Sequence, residues 1–288
     1  MRQLWALLLC SCASSCALRP ASPADQAPPQ SPQPASAPSP AATTATAPES
    51  TAETTAGTEE AQDHDDEPDL DPSTTPPDGM TDVASLGPAG PPASRYAALD
   101  QSQCEAELKK RSIAFRRVDT ARGVVAPIRL EGPLSGVTFR SNLNAAQRKT
   151  AVIEIYDCRL VLALDDFAKI LSKHDVTEVI HLSVYRPVGK KVTLKNGVGR
   201  RHGGALAIDA AIFKTSDGKS LNVQKDFHGA IGAKTCPPPA SATELRKIAC
   251  EASNARLFNV LLTPDYNWAH RNHFHLEVTS GARWFFVR

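Results

Sequence analysis

Three of the chain's eight histidines fall within six residues, at His270, His273 and His275 in the stretch HRNHFHLEV. Imidazole at that density suits metal ligation or proton transfer, because a neutral ring nitrogen offers a lone pair and the ring titrates near neutral pH. A second stretch, RHGGALAIDAA, carries His202 and, seven residues on, Asp209, with a Gly pair between them. Asp209 stands between Ile208 and Ala210 in a segment that reads as a strand, and an unpaired carboxylate buried there is costly. It requires a cation, either zinc or one of the nearby Arg200 and Arg201. His273 and His275 are two apart, which on a strand puts both rings on one face. Neighbouring strands that present His202, Asp209 and His275 to one point supply the three protein ligands of a catalytic zinc site, with a fourth position for water. His273, or His270 three residues earlier, is then placed to take a proton.

Several elements must position these groups. QSQCEAELKKRSIAFRRV reads as a short helix followed by an edge segment, and APIRLEGPLSGVTF as short strands broken by Gly132 and Pro133. In DCRLVLALDDFAKILSKHDV the apolar residues recur at three and four, which predicts a helix. TEVIHLSVYRP predicts a strand stopped by Pro187, ALAIDAAIF a second strand, SDGKS a turn and FHLEVT a final core strand. SATELRKIACEASNARLF predicts a helix capped by Ser241, with Glu244 in third place. Helices mixed with strands without βαβ regularity predict an α+β fold, a small antiparallel sheet with flanking helices.

Outside those elements the composition changes. Residues 1–19 combine Arg2, the apolar run Leu4–Leu9 and a tail of small residues and cysteines, the layout of a secretory signal. LCSC, ending at Cys12, and ASSC, ending at Cys16, resemble a bacterial lipobox, so Cys12 or Cys16 is the expected lipidation site. Residues 20–94 are rich in Pro, Ala, Thr, Ser and acidic side chains and too poor in apolar ones to offset ordering entropy. A disordered linker is expected there, with a folded domain over 95–288. The expected location is the periplasm or outer membrane, reached by export and held by a lipid anchor, with plain secretion as the alternative.

The whole chain carries a net charge of +1, yet residues 101–288 hold 29 Lys and Arg against 17 Asp and Glu, a surplus of 12. That charge suits an anionic polymer, and export favours cell-wall material over nucleic acid, for which no motif is present. A monomer is expected. The folded part keeps Cys104, Cys158, Cys236 and Cys250. In an exported domain these predict two disulfides, and nearest-neighbour pairing gives Cys104–Cys158 and Cys236–Cys250.

Taken in order, YRP at a strand end, HGGALAID, and DYNWAHRNHFHLE resemble the extensin-like C-terminal domain of bacterial exported proteins. That domain is similar in turn to zinc D-Ala-D-Ala peptidases of the lysostaphin, D-alanyl-D-alanine metallopeptidase and hedgehog-like fold group. The resemblance spans about residues 101–288. It implies a hedgehog / D-Ala-D-Ala metallopeptidase-like fold, with zinc on His202, Asp209 and His275 and His273 beside the activated water as a catalytic group. It also implies that His270 is an additional active-site histidine and that Arg186 contacts the substrate carbonyl or carboxylate. Two places depart from the pattern: Tyr185 stands where the family has a Cys, and Arg200 where many of the peptidases have a Ser.

The expected function is therefore zinc-dependent hydrolysis of peptidoglycan stem peptides, as carboxypeptidase or cross-link endopeptidase. The alternative is a non-catalytic, metal-containing wall-binding module. Among the remaining residues, His181 reads as a satisfied core histidine, His228 as a loop residue, and Trp268 and Trp284 as core and rim packing. Glu277 shares a face with His273 and His275, where it either orients an imidazole or sits on the surface.

Overall fold

The computed structural model describes Thr81, Asp82 and residues 90–288 apart from Arg283. The expected signal segment, both lipidation candidates and most of the expected linker lie outside the described residues. In chain order the elements are β1 (Thr81–Asp82), α1 (Pro92–Ala97), α2 (Gln101–Lys110), β2 (Phe115–Arg117), β3 (Pro127–Leu130), β4 (Thr138–Ser141), α3 (Ala145–Arg148), β5 (Tyr156–Asp157) and α4 (Cys158–Lys173). They continue with β6 (Val176–His181), β7 (Ala207–Thr215), β8 (Ser220–Asn222), α5 (Val223–Asp226), α6 (Glu244–Asn254), β9 (Val260–Leu262), β10 (Phe274–Glu277) and β11 (Trp284–Val287). Helix α1 begins three residues ahead of the boundary expected at 95.

The fold is α+β, but the main sheet is larger than expected and mixed. Among the described residues it runs β1-β11-β9-β10-β7-β6-β4, with β8 also on β7. The β4–β6 and β9–β11 pairs are parallel and the others antiparallel. A parallel pair needs a long crossover, and between β4 and β6 the chain passes through α4. A second, antiparallel sheet is formed by β2, β3 and β5.

Helix α4 forms where the periodicity places it. Asp157 caps it by accepting from the Arg159 backbone N–H at 3.0 Å, and Leu160, Leu164, Phe167 and Leu171 bury its apolar face. Phe167 meets Phe213 of β7 and Phe258 edge-on, at ring separations of 6.5 and 5.6 Å. Each such buried side chain contributes about 1.5–3 kcal/mol. Strand alternation then carries the pattern to the site. Phe274 packs into this core against Phe213 and Phe227, so its neighbour His275 points to the opposite face of the sheet.

Both expected disulfides are present. Cys104–Cys158 ties α2 to the start of α4, and Cys236–Cys250 ties the preceding loop to α6. Helix α6 is capped by Thr243, not Ser241: the Thr243 side chain accepts from the Arg246 N–H, and Glu244 is the first helical residue. FHLEVT is not the last strand, because β11 follows it and pairs with β9. The strand expected to reach Pro187 ends at His181, where the register against β7 shifts. Beyond it the backbone bonds of Val184 and Arg186 go to Ile153 and His202 instead of a ladder.

Candidate metal centre

The site begins with register. Strands β7 and β10 pair antiparallel with His275 directly opposite Asp209, which places the two side chains together on one face. His202 enters from a 3₁₀ turn, Arg201–Gly204, ahead of β7. The paired glycines make that turn possible. A Cβ on Gly204 would stand 2.4 Å from the Gly199 carbonyl oxygen, and one on Gly203 2.7 Å from a Val188 methyl. The chain after β6 closes the arrangement: the Leu182 and Arg186 N–H groups donate to the Asp209 and His202 carbonyls.

The result is a buried set of donors. His202, Asp209 and His275 are at most 1 % exposed, and their ligand atoms all lie within 4.8 Å of one another. Asp209 Oδ1 stands 3.1 Å from His202 Nε2 and 3.1 Å from His275 Nδ1. On a tetrahedral zinc with ligands about 2.0 Å from the metal, neighbouring donors are about 3.3 Å apart. His202 donates its Nδ1 proton to the Val184 carbonyl at 2.7 Å, so a neutral ring turns the lone pair on Nε2 toward Asp209. His273 repeats the pattern. Its Nδ1–H donates to Asn272 Oδ1 at 2.9 Å, while Nε2 lies 3.4 Å from the same Asp209 oxygen. One carboxylate oxygen thus faces three imidazoles, two of them through the nitrogen that bears the lone pair. With the rings neutral, acceptors packed in this way call for a proton or a metal ion between them.

The surrounding groups fix the candidate ligands. Asp209 Oδ2 accepts from Ser183 Oγ–H at 2.9 Å and from Arg186 Nη2 at 2.5 Å, and Arg186 Nε donates to Ser183 Oγ. The guanidinium beside Asp209 is therefore Arg186, not Arg200 or Arg201. Arg186 was expected to meet the substrate; it holds a candidate ligand while its side chain remains 39 % exposed. Burial alone raises the Asp209 pKa, but the charge and hydrogen bonds of the histidines around it outweigh that and hold it well below the carboxylate range. Burial pushes His273 down to about 4, against the pull of Asp209. Glu277 is buried, accepts from Thr279 Oγ1–H at 2.6 Å, and brings Oε2 within 3.6 Å of His275 Nε2 and 3.8 Å of Arg201 Nε. That separation is longer than a hydrogen bond, so Glu277 acts on the His275 ring through its charge and not by a direct bond.

His270 also joins the site. Its ring is 5.1 Å from that of His273 and 5.8 Å from that of His275. The Asn267 side chain accepts from both the His270 N–H and Nδ1–H, which turns the ring inward. The same turn sends Trp268 outward, 70 % exposed and stacked with Arg271 at 4.7 Å. Trp268 is therefore not packed in the core, whereas Trp284 is. His181 is buried on Tyr156 and Glu154, as expected of a core histidine, although its Nδ1 has no hydrogen-bond partner among the described residues, and His228 sits in an exposed loop, as expected.

Sequence reading missed Ser183, Asn267 and Asn272, which hold Asp209, His270 and His273. Asn267 carried a usable signal, since an Asn three residues before a His has the spacing of a side-chain cap.

These residues lie inside a region that a family model matches. The chain belongs to the family described as extensin-like protein C-terminus. The match covers residues 102–288 and so includes every member of the site. No curated protein and no solved structure matches the chain. Tyr185, where the resemblance leads one to expect a Cys, is buried and donates its hydroxyl to the Arg122 carbonyl at 2.9 Å. Arg122 in turn donates to the carbonyls of Val188, Gly189 and Val192, so that hydrogen bonds tether the basic loop.

Proposed function

We propose that this extensin-like domain is a zinc-dependent peptidase acting on peptidoglycan stem peptides at the bacterial cell envelope, as carboxypeptidase or cross-link endopeptidase. The fold this assigns is hedgehog / D-Ala-D-Ala metallopeptidase-like. The observation that carries the reading is the single Asp209 oxygen ringed by His202, His273 and His275, with the His202 and His273 lone pairs directed inward by acceptors on Nδ1. His202, Asp209 and His275 hold the ion. Bound there, zinc supplies a Lewis acid and lowers the pKa of water toward about 7.

The remaining chemistry belongs to the chain. His273, kept neutral by burial, accepts a proton at Nε2 and returns it to the leaving amine. His270 stands beside it as a second ring able to share that proton. Arg186 clamps Asp209 with one edge and offers its exposed part to a substrate carbonyl or carboxylate. Trp268 and Arg271 provide an exposed stacking surface next to the turn that carries His270. The signal-like segment and acidic, proline-rich linker support an exported, lipid-anchored protein, and the basic surplus supports an anionic wall partner.

The test is mass analysis of purified peptidoglycan incubated with the full chain, with and without chelator. Chelator-sensitive release of cleaved stem peptides is expected. His273→Ala should keep its metal and lose about 10²–10⁴-fold in rate. A protein that holds zinc yet cleaves nothing is a wall-binding module instead. Loss of zinc from His273→Ala makes His273 a ligand.

A further inference from the structure

A second ligating set overlaps the first. The donor atoms of His270, His273 and His275 lie within 4.8 Å of one another. Asn267 accepts the Nδ1 proton of His270 at 2.7 Å and Asn272 that of His273 at 2.9 Å. In neutral rings this leaves the lone pair of each on Nε2. The two asparagines thus stand to His270 and His273 as the Val184 carbonyl stands to His202: an acceptor on Nδ1 that fixes the tautomer and aims Nε2 at a metal.

We propose that His270 and His273 form a second, weaker position for a divalent transition cation beside the first, held through their Nε2 atoms. The inference rests on reading His202, Asp209 and His275 as the first set. His275 belongs to both sets, and each ring nitrogen carries one lone pair, so the nitrogen that serves the first ion does not also serve the second. Among the described residues the second position therefore has two neutral protein donors where the first has three, one of them a carboxylate. Asp209 Oδ1, 3.4 Å from His273 Nε2 and 3.1 Å from the first-set nitrogens, is the anion that eases repulsion between two cations. Nitrogen donors select borderline ions such as Zn²⁺, Ni²⁺ or Cu²⁺ over Mg²⁺ and Ca²⁺, which take oxygen. Filling the position ties up the His273 lone pair, so excess metal switches off the proton acceptor.

Metal-stripped full-length protein titrated with zinc against a chromophoric chelator should take up one tight equivalent and a second at least about tenfold more weakly, as fewer and uncharged ligands dictate. His270→Gln should keep the first and lose the second. Cobalt, titrated in the same way, should change its absorption in two stages in the wild type and in one stage in His270→Gln. A wild type that stops at one equivalent overturns the second position, whether or not the variant folds. So does a folded His270→Gln that still binds two. A protein that takes up no tight equivalent overturns the first set as well, which separates that failure from the failure of the second position alone.

Discussion

His181 and His202 are equally buried and reach neighbouring residues of β7, yet they sit in opposite kinds of surroundings. His181, opposite Ala210, pairs Nε2 with the Tyr156 hydroxyl at 2.9 Å, and Glu154 lies 3.6 Å away. Glu154 itself accepts from the backbone N–H and the hydroxyl of Ser141. In that cluster one imidazole meets one carboxylate and one hydroxyl through Nε2, so a single shared proton satisfies that contact without an added ion, although Nδ1 has no hydrogen-bond partner among the described residues. Around Asp209, three imidazoles converge on one carboxylate oxygen, and with the rings neutral acceptors outnumber protons. Burial of a histidine is thus a poor sign of a metal; the balance of donors and acceptors around it is the useful one.

The largest expected effect separates the two clusters by metal content. His202→Ala and His275→Ala should each lose essentially all of a tight zinc equivalent, while His181→Gln keeps it, as measured by elemental analysis of the purified full chain. Zinc retained in the first two variants, or lost from the third, breaks the comparison.

A smaller effect concerns stability inside the closed cluster. Glu154→Gln should destabilise the protein by about 1–3 kcal/mol near neutral pH, because it weakens buried charge-assisted bonds. Burial raises the Glu154 pKa, but the hydrogen bond and charge of His181, with the bonds from Ser141, outweigh it and leave the value lowered. A depressed carboxylate contributes stability that is present above its unfolded value, about 4.3. That contribution is lost as pH falls through the lower folded value. The gap between wild type and Glu154→Gln should therefore narrow on acidification from pH 7 to pH 3 in denaturant titrations. A gap constant with pH means that the residue acts by packing alone.

The smallest effect belongs to the solvent side of the open cluster. Lys190, Lys191 and Lys195 are exposed on the loop before His202, while Arg201 is drawn in toward Glu277. Binding of the full chain to isolated sacculi should fall severalfold as salt rises, since exposed charges are screened beyond about 8–10 Å at 0.1–0.15 M. Replacing the three lysines with Ser should reproduce most of that fall without loss of zinc. Salt-insensitive binding assigns recognition to the cleft around Arg186 and Trp268.

Much of this was legible in the sequence for local reasons. His202 and Asp209, seven apart, and His273 and His275, two apart, are spacings within single segments, so their grouping needs no knowledge of the fold. Helix α4 follows from a repeat of three and four, and each disulfide joins cysteines that are consecutive among the four of the folded part, 54 and 14 residues apart. The early end of β6 was not legible, because its backbone groups are claimed by Ile153 and by the His202 turn. Which of the two tryptophans is core and which is rim was not legible, because the direction of Trp268 is set by the turn that the Asn267 side chain holds around His270.

By itself, then, the sequence determined which side chains are available for a metal, which helices form and that four cysteines are at hand for two disulfides, since these depend on short-range spacing and composition; which of the three pairings forms was left to the fold. Tertiary structure alone decided that His275 stands opposite Asp209, 66 residues away in the chain. It also decided that the Val184 carbonyl sets the His202 tautomer, that Arg186 and not Arg200 or Arg201 clamps the carboxylate, and that His181 faces Tyr156 in the core. Each of those depends on strand register and on which backbone groups remain after the ladders are satisfied, and no local pattern encodes either.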